Sequence, residues 1–88
     1  MNNFNLTIIS LKEILYDGSA VSVSVPGAEG ELTVLKNHIP LITLLKAGQI
    51  KVKVNNVEDI DEGNEEQLFN VQKGILEVNQ NRTTILVS

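Results

Sequence analysis

Val25–Ile50 reads V-P-G-A-E-G-E-L-T-V-L-K-N-H-I-P-L-I-T-L-L-K-A-G-Q-I. It holds both prolines, the single histidine and three of the six glycines among short runs of Val, Ile and Leu. Upstream, Val21, Val23 and Val25 alternate with Ser22 and Ser24, the period of a half-buried strand. Pro26-Gly27 is expected to stop that strand, because proline cannot donate to a ladder and glycine accepts turn geometry. Glu31–Leu35 reads as a short strand. Leu41–Leu45 is continuously apolar and fits either a strand buried on both faces or a short helix; β-branched Ile42 and Thr43 favour the strand. Ala47-Gly48 marks a turn, after which Ile50, Val52 and Val54 alternate with Lys51 and Lys53.

The pattern continues outward in both directions. Phe4, Leu6 and Ile8 alternate with Asn5 and Thr7. Gln67–Val71, Ile75–Val78 and Thr83–Val87 read as three more strands, parted by Lys73-Gly74 and Asn79-Gln80-Asn81. Asn55–Asn64 reads as a polar loop. About eight short strands with frequent turn signals predict an all-β fold, a sandwich or barrel, in one domain over residues 1–88. Neither a linker nor a repeat is visible, and no segment keeps a long helical period.

Composition narrows the function. The chain has 88 residues, of which 42% are hydrophobic, but only Phe4, Tyr16 and Phe69 are aromatic. The core must therefore come from Val, Ile and Leu. There is no cysteine, which rules out a disulfide or a thiolate site. The N-terminus shows no basic region followed by an apolar run, so no secretory leader is expected. No apolar run nears the ~20 residues of a membrane helix; the chain reads as soluble, able to sit beside a membrane. The formal net charge is −4, and Glu58, Asp59, Asp61, Glu62, Glu65 and Glu66 crowd one stretch without a cation between Lys53 and Lys73. This argues against nucleic-acid binding, which needs clustered cations. The acidic run reads as a solvated, self-repelling loop. Asp59, Asp61 and Glu62 lack the spacing and glycine of a calcium loop.

Catalytic constellations are thin. His38 stands alone, without a nucleophile elbow or a second metal-ligating histidine, so neither a triad nor a metal centre is expected. Its plain role is a polar turn residue beside Pro40, bonded locally or touching a partner. Glu29 and Glu31 share a face if they lie on a strand; on a tight glycine-flanked loop they are solvent-facing charges or contacts to a partner's cations. Gly27-Ala28-Glu29-Gly30 is not a phosphate loop, since no Gly-Lys-Ser/Thr and no helix pattern follow.

Taken in order, Pro26-Gly27-Ala28-Glu29-Gly30-Glu31-Leu32, Leu35, His38-Ile39-Pro40-Leu41 and Leu44-Leu45-Lys46-Ala47-Gly48-Gln49-Ile50 resemble the N-terminal domain of the epsilon subunit of F-type ATP synthases, called delta in mitochondria. Phe4–Ser10 is similar to the family's first strand and Tyr16-Asp17-Gly18 to its aromatic-x-Gly turn. Gly74-Ile75-Leu76-Glu77-Val78 and Thr83–Val87 resemble its closing strands. Thr33 stands where the family often has glycine, Lys36-Asn37 where it often has Pro-Gly, and Lys73 replaces the first of two paired glycines. Asn37 is expected to keep the turn, because asparagine tolerates positive φ. Typical members continue into two C-terminal helices that inhibit hydrolysis and in some cases bind ATP; neither property carries over to these 88 residues, a chain either naturally short or an excised domain.

The resemblance implies a flattened β-sandwich of about eight to ten short strands in two sheets. It implies a non-catalytic rotor subunit of the central stalk that docks the gamma subunit to the ring of c subunits and couples ion flow to ATP synthesis. It implies no cofactor, no metal, no small-molecule ligand and no nucleic acid. The membrane would be met only through the complex, on the cytoplasmic face of a bacterial plasma membrane or its organellar inner or thylakoid equivalent. Glu29, Gly30, Glu31 and Leu32 match the family position facing the polar loops of the ring. His38, Pro40, Leu41 and Ile42 are expected near the same end, in the partner interface. A gamma-facing apolar patch is expected around Leu41–Leu45. The alternatives are a β-sandwich adaptor unrelated to rotary motors and a small ligand-binding sandwich, which would want more exposed aromatics.

Overall fold

A computed structural model describes residues 3–55 and 64–88. Among the described residues the chain forms nine strands: β1 Phe4–Ser10, β2 Ile14–Ala20, β3 Ser22–Gly27, β4 Gly30–Leu35, β5 Leu41–Leu45, β6 Gly48–Asn55, β7 Asn64–Val71, β8 Gly74–Asn79 and β9 Arg82–Val87. The loop expected at Asn55–Asn64 lies outside the described residues except for its two ends, which pair as the last rung between β6 and β7. Of the acidic run, Glu58, Asp59, Asp61 and Glu62 also lie outside them.

The order β2-β1-β9-β8-β5-β3-β6-β7, with β4 on the other edge of β3, is one hydrogen-bonded path. It curls into two layers. β2, β1, β9, β8 and β5 form one, and β4, β3, β6 and β7 the other. The hinge is β3. Its first half pairs with β6 at Ser22, Val23 and Ser24, and its last residue, Gly27, reaches Leu45 of β5. Pro26 pairs with Glu31 of β4, and on its other edge it falls between these two ladders, where neither β5 nor β6 pairs with it, so its missing N–H costs little there. Its carbonyl accepts from the Lys46 N–H at 2.9 Å. The strand therefore runs through Pro26 instead of stopping at it.

The core is aliphatic, as the composition requires. Leu6, Ile8, Val23, Ile50, Val52, Leu76 and Ile85 are completely buried, each from an inward position of its strand. Among the described residues, no ladder joins the layers at the far side of the curl. There Tyr16 of β2 meets Phe69 of β7 edge to face, with centroids 6.2 Å apart.

Two further expectations change and one holds. Tyr16-Asp17-Gly18 lies inside strand β2, not in a turn. The segment is held by pairing with β1 from Phe4–Ala20 to Ile9–Ile14. Pairing with a strong neighbour overrides its weak intrinsic preference, given Asp17, Gly18 and Ser19. Leu41–Leu45 is a strand, but it buries only one face: Leu45 is buried while Ile42 and Leu44 are exposed. Asn37 keeps its turn as expected, with φ of 65°, and its N–H donates to the Asn81 side-chain oxygen at 3.1 Å.

Candidate functional site

Six of the eight residues singled out from sequence lie on β4 and its two flanking turns, and Leu41 and Ile42 lie on β5. Ala28 and Glu29 form the two-residue loop between β3 and β4, closed by the Gly27–Gly30 rung. Glycine is required at both rung positions. A Cβ at Gly27 would sit 2.7 Å from the Gly30 carbonyl oxygen, and Gly30 holds φ of 137°. Glu29 and Glu31 are both exposed. Glu31 borders a shallow groove that also takes in Lys46 and Lys51. His38 follows the opposite end of β4, where its N–H donates to Leu35. Because β4 has six residues, about 3.3 Å each, Glu29 and His38 do not share one end of the domain. They share one edge of the sheet. Pro40 is exposed beside His38, and together with Asn37, Gln80 and Asn81 they border a shallow depression.

Two of the eight candidates face inward. Leu32 and Leu41 are half-buried and pack against the core. Ile42 is exposed and stands opposite Glu77 of β8. The His38 ring donates from Nδ1 to the carbonyl of Ile39 at 2.8 Å, a local bond that orients no nucleophile. Among the described residues, no group of three His, Asp or Glu side chains could hold a metal ion.

A second surface extends well beyond the apolar patch expected around Leu41–Leu45. On the outer face of the five-stranded layer, Leu44 pairs with Ile75, Ile75 with Leu86, Leu86 with Ile9 and Ile9 with Ile14. They form one apolar row across β5, β8, β9, β1 and β2. Ile14, Leu44, Ile75 and Leu86 are 58%, 62%, 42% and 45% exposed, and Leu11, in the loop beyond the row, is 93% exposed. The register shift after Ile8 is a bulge that turns Leu15 against the core and brings Ile14 level with Ile9. Between the row and the strand-end loops runs an open groove bordered by Leu11, Leu44, Lys73, Ile75 and Leu86. The signal in the sequence was the apolar doublet. Ile8-Ile9, Ile14-Leu15, Leu44-Leu45, Ile75-Leu76 and Leu86-Val87 each break the period of two, so that one member must face outward.

Contiguous exposed apolar surface of this kind is what interaction sites on small domains are made of. The model of the ATP synthase delta/epsilon chain β-sandwich domain matches residues 3–88. The chain belongs to that family. A curated relative, the ATP synthase epsilon chain of Delftia acidovorans (strain DSM 14801 / SPH-1), is 37% identical over 86 residues. The match takes in 98% of this chain, which spans 57% of the relative's length. A chain of the Euglena gracilis mitochondrial ATP synthase, solved as OSCP/F1/c-ring, superposes with a TM-score of 0.79 at 21% identity, over 93% of this chain and 48% of that one. A chain of the Tetrahymena thermophila mitochondrial ATP synthase central stalk/c-ring superposes with a TM-score of 0.73 at 16% identity, over 94% and 61%. At these identities the likeness establishes the fold. Family membership sets aside the unrelated adaptor and the ligand-binding sandwich.

Proposed function

We propose that this domain is a non-catalytic part of the rotor of an F-type ATP synthase, joining the gamma subunit to the ring of c subunits so that ion flow and ATP synthesis stay coupled. In this reading it meets the membrane only through the complex, on the cytoplasmic face of a bacterial plasma membrane or the equivalent organellar face. It takes part in catalysis only by passing torque. The apolar row carries the reading. A domain with no partner gains nothing from five aligned aliphatic side chains on its outer face, and a permanent neighbour gains their burial. Family membership names the candidates for that neighbour. The similar chains of known structure come from a central stalk/c-ring assembly and an OSCP/F1/c-ring assembly, which supports both.

The two surfaces suit two contacts. The row, with Leu44 in the segment expected to face gamma, is assigned to gamma. The β4 edge and its flanking turns, with Glu29, Gly30, Glu31, His38 and Pro40, are assigned to the polar loops of the ring, and half-buried Leu32 backs them from inside; Leu41 and Ile42, on β5 of the five-stranded layer, are assigned to the same partner interface. Exposed carboxylate–cation pairs contribute only roughly 0–1 kcal/mol each, so the ring contact depends on several weak terms and the gamma contact on buried area. The test is capture of purified gamma subunit by the 88-residue chain, followed by addition of c-ring in detergent. A stable complex with gamma at micromolar protein is expected. Absence of capture overturns the assignment.

A further inference from the structure

We infer that the apolar row of the five-stranded layer is a seat for one amphipathic α-helix of the partner, lying across the strands, acidic along one margin and basic along the other. The inference rests on the reading that the row faces a partner, and adds what element of that partner fills it.

Spacing selects the helix. The five row positions sit on adjacent hydrogen-bonded strands, and adjacent strands are about 4.8 Å apart. The row therefore advances about 4.8 Å per side chain, close to the ~5.4 Å pitch of an α-helix. Successive helical turns stay nearly in step with successive strands, so each apolar side chain of the helix drops between two of the row. An extended peptide repeats the same face only every ~6.7 Å and falls out of step within two or three strands. Four inter-strand steps span about 19 Å, the length of about 13 helical residues.

Charge selects the margins. On the loop side of the row stand Lys12, Lys46 and Lys73, all exposed, against one acid, Glu13. Lys73 borders the groove itself. On the other side the next row reads Ile42, Glu77, Thr84, Thr7 and Asp17 in register, with the Thr7 hydroxyl donating to Asp17 at 3.5 Å. A seated helix thus meets cations along one flank, and carboxylates and hydroxyls along the other. Acidic residues suit the first flank, Lys or Arg the second. That asymmetry also fixes which way the helix points along the row.

The test uses the full 88-residue chain, isotope-labelled, titrated with synthetic helical peptides of about fourteen residues. One has a Leu stripe with Glu on one margin and Lys on the other. A second has the same stripe with Lys on both margins. A third has the first peptide's composition scrambled so that no stripe forms. Amide shifts are expected around Leu44, Ile75 and Leu86. The two-sign peptide should bind about tenfold tighter than the scrambled one and severalfold tighter than the all-Lys one. Leu86→Glu should remove binding while leaving the spectrum of a folded chain, and Lys46→Glu with Lys73→Glu should reverse the preference between the first two peptides. Equal affinity of striped and scrambled peptides, shifts centred on Ser24 and Lys51, or indifference to Leu86→Glu overturns the inference. Gamma capture run in parallel separates the two claims. If Leu86→Glu blocks gamma while no peptide binds, the helix inference fails and the gamma assignment stands. If the peptide binds and gamma does not, the gamma assignment fails alone.

Discussion

The two outward faces of this sandwich are built from similar strands and carry opposite chemistry. Beyond β3, the four-stranded layer presents Ser22, Ser24, Thr33, Lys51, Lys53 and Glu66, with Leu35 and Leu68 as isolated exceptions. Ser24 and Thr33 even satisfy each other across the strands at 2.9 Å. The five-stranded layer presents Leu44, Ile75, Leu86, Ile9 and Ile14 in line. Inside, both layers supply the same Val, Leu and Ile. The fold itself therefore asks for nothing apolar on an outer face, and the polar layer proves it can do without. Isolated exposed leucines are ordinary; five positions in register are a surface.

Neighbouring residues on one strand give the sharpest way to break that comparison. Leu76 of β8 is fully buried and Ile75, beside it, is 42% exposed. Leu76→Ala should cost about 2–5 kcal/mol, the transfer loss plus the cavity it leaves. Ile75→Ser should change stability by less than about 0.5 kcal/mol. Urea unfolding measures both. A large loss from Ile75→Ser would make the row part of the structural core and remove the argument for a partner.

The next effect is on binding. Leu86→Glu should weaken gamma capture by at least about tenfold with the fold intact, because a carboxylate would be buried where an aliphatic group was matched. Lys51→Glu, on the polar layer, should leave capture unchanged. Equal losses from both would mean that the two faces do not differ in function. On the β4 edge the expected effect is smaller. Glu31→Lys should weaken assembly with the c-ring by roughly 0–1 kcal/mol for each pair lost, and the loss should shrink in high salt. Unfolding of the isolated domain by this change would show the carboxylate to be structural.

Much of this was legible from the sequence, and what was not has physical causes. Alternation revealed β3 and β6, because serines and lysines sit cleanly opposite buried valines. The hairpin at Ala28-Glu29 was legible in its bounding glycines. β2 was not legible, because Asp17, Gly18 and Ser19 are poor strand formers and only pairing with β1 holds them extended. The glutamates and His38 were singled out together, yet the placement of His38 was not legible: a short polar turn says nothing of the six-residue strand that parts the two groups. The row beyond Leu41–Leu45 was not legible, for a subtler reason. A doublet such as Leu44-Leu45 reads as extra burial until one knows that the strand has only one covered face. Register across five strands, with two of the four joins (β5–β8 and β9–β1) between strands distant in sequence, is information no local window holds.

The join between the layers offers the finest test. On one side β3 carries the ladder across; on the other, the side chain of Tyr16 meets that of Phe69. Burial, and then the nearby charge of Glu65, push the Tyr16 pKa above its ordinary value of 10.0. The folded chain thus holds this proton more tightly than the unfolded chain. The stabilisation is complete below the unfolded pKa near 10 and is lost as pH rises through the higher folded value. The Tyr16 hydroxyl also donates to the Ser19 carbonyl at 2.6 Å. Tyr16→Phe keeps the ring contact and removes that bond, so it should cost about 0.5–1.5 kcal/mol at neutral pH. It should also flatten the alkaline fall in stability. Glu65→Gln should make that fall smaller and end it at lower pH, since the charge that helps hold the folded phenol neutral is gone. Parallel alkaline slopes for the parent chain and Tyr16→Phe, measured by urea unfolding on either side of pH ~10, would show that the aromatic seam is a packing contact only and that the phenol plays no part in closing the two layers.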